Sequence, residues 1–321
     1  MKYKQLTLEK RYQISALKKQ GMSQSYIANE IGVHKSTVSR ELSRNSLPKY
    51  SAETAHVTAR IRHKKKPRKI RLTQTIKIYI GQKLKEHWSP QQISGRLHVE
   101  ENLSISHETI YQYIYKNLRQ GGTLYKYLRH KNKKYTKRSS QYKTRGQIKG
   151  RVSIEERPSI VETYSRIGDV EIDTVIGKGH KGAIVTIVDR KSKFSLFKIV
   201  DSKQASPVTK ALIDLMYPIK GYIHTVTSDN GKEFSFHRDV SDALDCGFYF
   251  CHPYRSSERG LNENTNGLLR QYFPKGTDFT TITDKQIVQA QERLNHRPRK
   301  ALGYKTPFEV FFATIAKEIA S

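Results

Sequence analysis

The chain has 321 residues, enough for two or three domains of roughly 100–200 residues each. Its 59 Lys and Arg against 29 Asp and Glu give a net charge of +30, and residues 1–150 alone hold 34 basic and 8 acidic side chains, net +26. Residues 151–321 hold 25 and 21, net +4, so a polyanion partner belongs to the first part and a separate task to the second. Two cysteines, Cys246 and Cys251, argue against a disulfide scaffold and suit a reducing compartment. No apolar run approaches the roughly 20 residues of a membrane span, and the start, Met1 to Gln5, does not look like a signal peptide.

Residues 8–20 have helical spacing, with Leu8, Tyr12 and Leu17 among the apolar positions. Gly21 ends that helix and Ser23 caps the next, over 24–31. Ala28, Gly32 and Val38 then follow at helix-turn-helix spacing. The small residue lets two helices approach, the glycine takes the left-handed turn, and the valine pins a third helix. That third helix, about 35–43, offers Lys35, Ser36, Thr37, Ser39 and Arg40 to a major groove and its phosphates.

A second helical unit is expected over about 72–117. Residues 73–86 are amphipathic, and Ser89-Pro90-Gln91-Gln92 has the cap, first-turn proline and third-position glutamine of a helix start. A helix opening at His107 completes a looser helix-turn-helix; a docking or dimerisation bundle is the alternative. Basic runs flank this unit. Lys64, Lys65, Lys66 and Arg68 precede it; Lys133, Lys134, Lys137, Arg138, Lys143 and Arg145 follow it. Such runs add salt-sensitive phosphate contacts, or serve only as solvated linkers.

From about Arg166 the period changes. Residues 168–176, 183–189 and 194–200 read as three successive strands, 205–216 as a helix and 222–228 as a fourth strand. A helix near 238–244, a strand over 247–251 and a helix containing 262–272 follow. That order is the order of a ribonuclease H-like sheet.

Three carboxylates stand out against this pattern. Asp173 lies mid-strand among apolar neighbours, where an Asp is disfavoured and costly if buried alone. Asp229 lies where a strand breaks into Asn-Gly, and Glu263 in a polar stretch opening a helix. Singly, the last two suit a turn and a solvated helix start. Together, three hard oxygen ligands on two strands and a facing helix can hold two divalent ions for phosphodiester chemistry. Cys246, Cys251, His252 and His237 lack the paired spacing of a zinc site, and core packing suits the cysteines better. Lys232, Arg259 and Arg270 flank the carboxylates and suit phosphate contacts or simple solvation. The basic turn His296-Arg297-Pro298-Arg299-Lys300 suits a DNA contact, and Trp88 suits packing.

The run Glu258-Arg259-Gly260-Leu261-Asn262-Glu263-Asn264-Thr265-Asn266-Gly267, continuing to Asp278, resembles the bacterial insertion-sequence-30 transposases. These belong to the DDE, ribonuclease H-like superfamily shared with retroviral integrases. Ser228 to Phe234, Asp173 to Gly177, Leu294 to Lys300 and the first helix-turn-helix match as well. The resemblance covers nearly the whole chain and implies a catalytic, metal-holding triad of Asp173, Asp229 and Glu263. The last two have 33 residues between them, as is typical of the superfamily. Val170, Ile172 and Ser257 depart from the family's usual Trp, Gly and Trp.

The fold expected is multidomain: all-α helix-turn-helix units, then an α/β ribonuclease H-like domain with a mixed five-stranded sheet. The boundaries expected are a helix-turn-helix domain over 1–48, a basic linker over 49–71, a second helix-turn-helix-like domain over 72–120, a basic linker over 121–164 and the DDE catalytic domain over 165–321. The activity implied is binding of an element's terminal inverted repeats, cleavage to 3′-OH ends and joining to target DNA. Two Mg²⁺ ions, replaceable by Mn²⁺, are the implied cofactors. The implied partners are double-stranded DNA and a second copy of the chain on that DNA, with no membrane and no small-molecule substrate. The location implied is the bacterial cytoplasm, at the nucleoid. A regulator with an inert catalytic-type domain and a nuclease that cuts without joining are the alternatives.

Overall fold

Short polar side chains open the first helices. Thr7 accepts from the Lys10 amide at 3.3 Å, Ser23 from Tyr26 at 3.2 Å and the His34 ring from Ser36 at 3.2 Å. The computed structural model describes residues 5–45, 49–65, 72–129, 148–253 and 255–319, and the chain divides into the units Met1–Arg71 and Leu72–Ser321.

In the first unit, α1 (Leu8–Lys19), α2 (Gln24–Glu30) and α3 (Lys35–Arg44) close on Ile14, Ile27, Ala28, Val38 and Leu42. Gly32 sits at φ 64°, the left-handed turn its spacing predicts. Arg11 and Glu41 form a buried ion pair at 2.7 Å, with Arg11 also donating to the Leu6 carbonyl. The segment expected as a linker over 49–71 instead contains α4 (Ala52–Lys65), packed on α1. Ala52 and Ala55 are buried, and Tyr12 donates to Glu53 at 2.6 Å. Small residues allow this approach, and Arg60, Arg62 and His63 are exposed.

The second unit begins with α5 (Gln74–Lys85), α6 (Pro90–Glu101) and α7 (His107–Arg119) around Ile80, Leu84, Ile93, Leu97, Ile110 and Ile114. The Ser89–Gln92 capping box forms as its sequence suggests. This bundle docks on the end of the chain. Gln92 donates to the Pro298 carbonyl at 2.8 Å and accepts from Arg297 Nε at 2.8 Å. Arg96 grips Glu309 with both terminal nitrogens, and Gly95 lies so close to the Tyr304 ring that a Cβ would collide with it.

The sheet follows as β1 (Asp169–Ile176), β2 (Ala183–Asp189), β3 (Ser195–Val200), β4 (Thr225–Ser228) and β5 (Gly247–Phe250). Its order is β3-β2-β1-β4-β5, with β1–β2 and β2–β3 antiparallel, and β4 and β5 parallel additions beside β1. This is the ribonuclease H-like sheet. The fourth strand starts three residues later than its pattern suggests, because Tyr217–Tyr222 winds into a 3-10 turn. Gly168, at φ 84°, lies against the Tyr222 carbonyl, where a Cβ has no room.

Alternation along β1 splits the core in two. Val170 and Ile172 face α8 (Ala205–Met216) and α9 (His237–Leu244). Val175 faces the side covered by α10 (Gly260–Leu269) and α11 (Asp284–Asn295), with α12 (Pro307–Ile319) last in the chain. Asp173 shares the face of Val175, two residues away, and so points toward α10.

Candidate active site

Parallel pairing of β1 with β4 in the register Glu171↔Thr227, carried two residues further, sets Asp173 beside Asp229. Asp229 Oδ1 accepts from the Gly231 amide at 2.8 Å, which turns the chain just past β4. Across the sheet, α10 is tied down by its amides. The Asn262 backbone N–H donates to Glu171 at 3.1 Å, and the Asn266 side chain donates to Asp173 Oδ2 at 2.8 Å. Asn266 in turn accepts from Thr186 on β2 at 3.0 Å.

Arg259, just ahead of α10, joins the two aspartates. Its guanidinium donates to the Ile172 carbonyl at 3.0 Å and faces Asp173 Oδ1 at 3.6 Å and Asp229 Oδ2 at 3.4 Å. The directed bond goes to the backbone, so the contact with the carboxylates is mainly one of charge. Glu263 is on the exposed part of α10, three residues before Asn266 and therefore on its neighbouring turn. Burial holds Asp173 above the usual carboxylate range; Arg259 opposes this and Asp229 adds to it.

A charge network of buried Arg157, Arg190 and Glu171 with the exposed Glu162 lies two residues back along β1 and β4 from the aspartates. Arg190 donates to Glu171 at 2.7 Å and to Glu162 at 3.2 Å, while Arg157 grips Glu162 and donates to Thr227 at 2.7 Å. Glu171 is raised by burial, with Arg190 opposing. This network ties β1 to β4. Sequence reasoning misses it because long-range charge pairs leave no periodic trace.

The helix-turn-helix domain family model matches residues 2–45. The chain is 50% identical over 311 residues to the transposase for insertion sequence element IS4351 of Bacteroides fragilis, covering 96% of this chain and 95% of that one. It is 35% identical to the transposase of IS1086 from Cupriavidus metallidurans, over 98% and 96% of the two chains. It is 33% identical to transposase InsI of IS30A from Escherichia coli, over 97% and 84%. The chain belongs to the IS30 family of transposases. The catalytic core of BIV integrase aligns with a TM-score of 0.38 at 20% identity, over 47% of this chain and 98% of that one.

The other residues that the sequence singles out fall into three groups. Lys35, Ser39 and Arg40 are exposed on α3, with Ser36 and Thr37 half-buried beside them, opposite the buried Val38, Glu41 and Leu42. His107 is exposed at the first turn of α7, and Lys232 is exposed after Asp229. Arg259 and Arg270 turn inward instead. Arg270 donates to the Ile176 carbonyl at 2.9 Å and stacks over Phe279. The side chains of Lys64 and Lys65, the residues Lys66 and Arg68, and the basic run up to residue 147 lie outside the described residues. Glu233 is buried, paired with Lys203 at 2.7 Å and accepting from Thr174 at 3.0 Å.

Among the described residues, no group of three or more His, Cys, Asp or Glu is gathered as a finished metal cage. The donor chemistry nevertheless fits a hard divalent cation. Two carboxylates converge on a single positive charge held at 3.4–3.6 Å, beyond a good hydrogen bond. Among the described residues, no helix is long and apolar enough to cross a membrane.

Proposed function

We propose that this transposase binds the terminal inverted repeats of its insertion sequence, cuts there to free 3′-OH ends and joins those ends to target DNA. The observation that carries the reading is the convergence of Asp173 and Asp229 on Arg259, under a helix that carries Glu263 and is tied to Asp173 by Asn266. In cleavage, water oxygen bonds to phosphorus, the 3′ oxygen leaves and takes a proton, and the 5′ phosphate is released. In joining, that 3′-OH attacks a target phosphodiester and displaces the target's own 3′ oxygen.

Asp173, Asp229 and Glu263 are the residues that would hold divalent cations, two Mg²⁺ with Mn²⁺ as a substitute. When bound, such ions neutralise charge on the scissile phosphate and favour attack by an oxygen nucleophile. The chain's own part is positioning. The charge network between β1 and β4 holds the strands that lead to the aspartates, and Asn266 ties the helix that bears the glutamate to Asp173. Arg259 supplies positive charge between the aspartates until a cation takes that role.

The division of labour proposed is recognition by the helix-turn-helix over 1–48, a second DNA contact by 72–120 and chemistry by 165–321, with 49–71 and 121–164 between them. Phosphate contacts from the basic first half supply most of the affinity, with a steep salt dependence. Two element ends must meet, so a dimer on DNA is proposed, acting in the cytoplasm at the nucleoid. The test is a labelled-end assay with Mg²⁺. Cleavage together with joining supports the reading. Cleavage alone indicates a nuclease, and binding alone indicates a regulator.

A further inference from the structure

A cavity of about 820 Å³ lies where the α5–α7 bundle meets the far side of α10 and the 297–301 turn. That size suits a small ligand. One side is aromatic: Trp88, Tyr125 and Tyr127 line it, together with Tyr111 and Tyr115, whose rings stack with centroids 6.2 Å apart. The other side is cationic: Arg129, Arg297 and Arg299 converge there, with Lys193 and Lys300 beside them.

The arginines are short of anions. Burial lowers Arg297 and Arg299 to about 10, with Arg129 acting in the same direction. Their side-chain bonds go to neutral acceptors: Arg297 donates to Gln92 at 2.8 Å and to Gln271 at 2.9 Å, and Arg299 donates to the Leu294 carbonyl at 3.1 Å. Arg299 Nε is buried without a hydrogen-bond partner among the described residues. Glu108 is the one carboxylate lining the cavity. Stacking faces opposite guanidiniums bonded only to neutral acceptors are the complement of a base joined to a phosphate.

The location narrows the ligand further. Leu261, Asn264, Thr265 and Leu268 of α10 line the cavity, so one helix separates it from Asp173. A helix with side chains is about 10–12 Å across, roughly three steps of about 3.4 Å along a DNA strand. We propose that this cavity receives one unpaired nucleotide of the DNA strand, its base against the tyrosines and its phosphate on the arginines. The inference rests on the reading of the chain as a transposase, and it adds a ligand site apart from the carboxylates.

The test uses the full chain in EDTA, so that no chemistry occurs, and reads fluorescence anisotropy on three labelled duplexes of equal length. One is fully paired, one carries a single unpaired thymidine and one carries an abasic residue at that bulge. The bulged thymidine is already unpaired, so its extrusion costs less than that of a paired base. The chain should bind that duplex about ten-fold more tightly than the paired one, and the abasic bulge should show no such gain. Tyr115→Ala and Arg129→Ala change exposed side chains and should remove the preference, while leaving affinity for paired DNA within about three-fold. Equal binding of paired and bulged duplexes overturns the proposal. So does a preference that survives both substitutions, or an abasic bulge bound as tightly as thymidine, which marks recognition of bending. A chain that fails to join strands can still show the preference, so the two readings fail separately.

Discussion

Asn266 donates its side-chain amide to Asp173 at 2.8 Å, linking residues 93 apart in sequence. This bond ties α10, the helix that carries Glu263, to β1. Asn266→Ala should keep the fold, at a cost of about 1 kcal/mol for one lost hydrogen bond. Cleavage should fall about 10- to 100-fold, because small misplacements of reacting groups are costly. Affinity for end DNA should change little. Wild-type cleavage rates in this variant would show that α10 is positioned by other contacts.

Arg259 faces both aspartates without a close hydrogen bond to either. Arg259→Gln removes the charge and leaves two carboxylates facing each other. Mn²⁺ should then bind the DNA-free chain about ten-fold more tightly by calorimetry, and it should raise the melting temperature more than in wild type. Equal Mn²⁺ affinity in the two proteins would show that Arg259 does not compete with a cation.

Glu309 is held down to about 2, first by its hydrogen bonds from Arg96. A carboxylate depressed in the folded state contributes stability above its unfolded value of about 4.5. That contribution is lost as pH falls from there toward 2. The docking of α6 on Glu309 should therefore weaken in that window. Glu309→Gln should flatten the part of the melting curve against pH that belongs to this pair. The effect is modest, because the carboxylate is partly exposed and screened. An unchanged pH dependence in the variant would place the acid-sensitive contact elsewhere.

Much of this was legible in the chain itself. Thr7, Ser23 and Ser89 start helices because their side chains satisfy free backbone amides, a local effect. The strands follow from runs of apolar residues, and Asp173 stands out because nothing apolar explains a carboxylate there. The rest was hidden in long-range pairing. Arg259 has the composition of a phosphate contact, yet its partners are carboxylates on two other elements. Glu171 is buried, and its partners, Arg190 and the Asn262 amide, come from other elements. Gly95, in the middle of α6, was a usable signal for the docking. A helical glycine marks a close approach, here to Tyr304.

In the first unit, neighbouring residues make opposite predictions. Arg40 is exposed on α3, so Arg40→Ala should weaken binding to the element's ends about 5- to 150-fold without shifting the melting temperature. Glu41 is buried against Arg11, so Glu41→Ala should destabilise the unit by about 3–5 kcal/mol, because it leaves a buried charge unpaired. Denaturant titration and anisotropy on end DNA check the pair. Wild-type affinity in Arg40→Ala would remove α3 from the groove.

The central claim is that Asp173, Asp229 and Glu263 perform the chemistry. The direct measurement is cleavage and strand joining on labelled end DNA in Mg²⁺, for Asp173→Ala, Asp229→Ala, Glu263→Ala, Glu258→Ala and the exposed control Asp214→Asn. The first three should abolish both reactions while binding the ends as wild type does, and the last two should stay active. Normal turnover in Glu263→Ala together with loss in Glu258→Ala, whose side chain accepts from the His252 amide at 2.9 Å, would contradict the site as assigned.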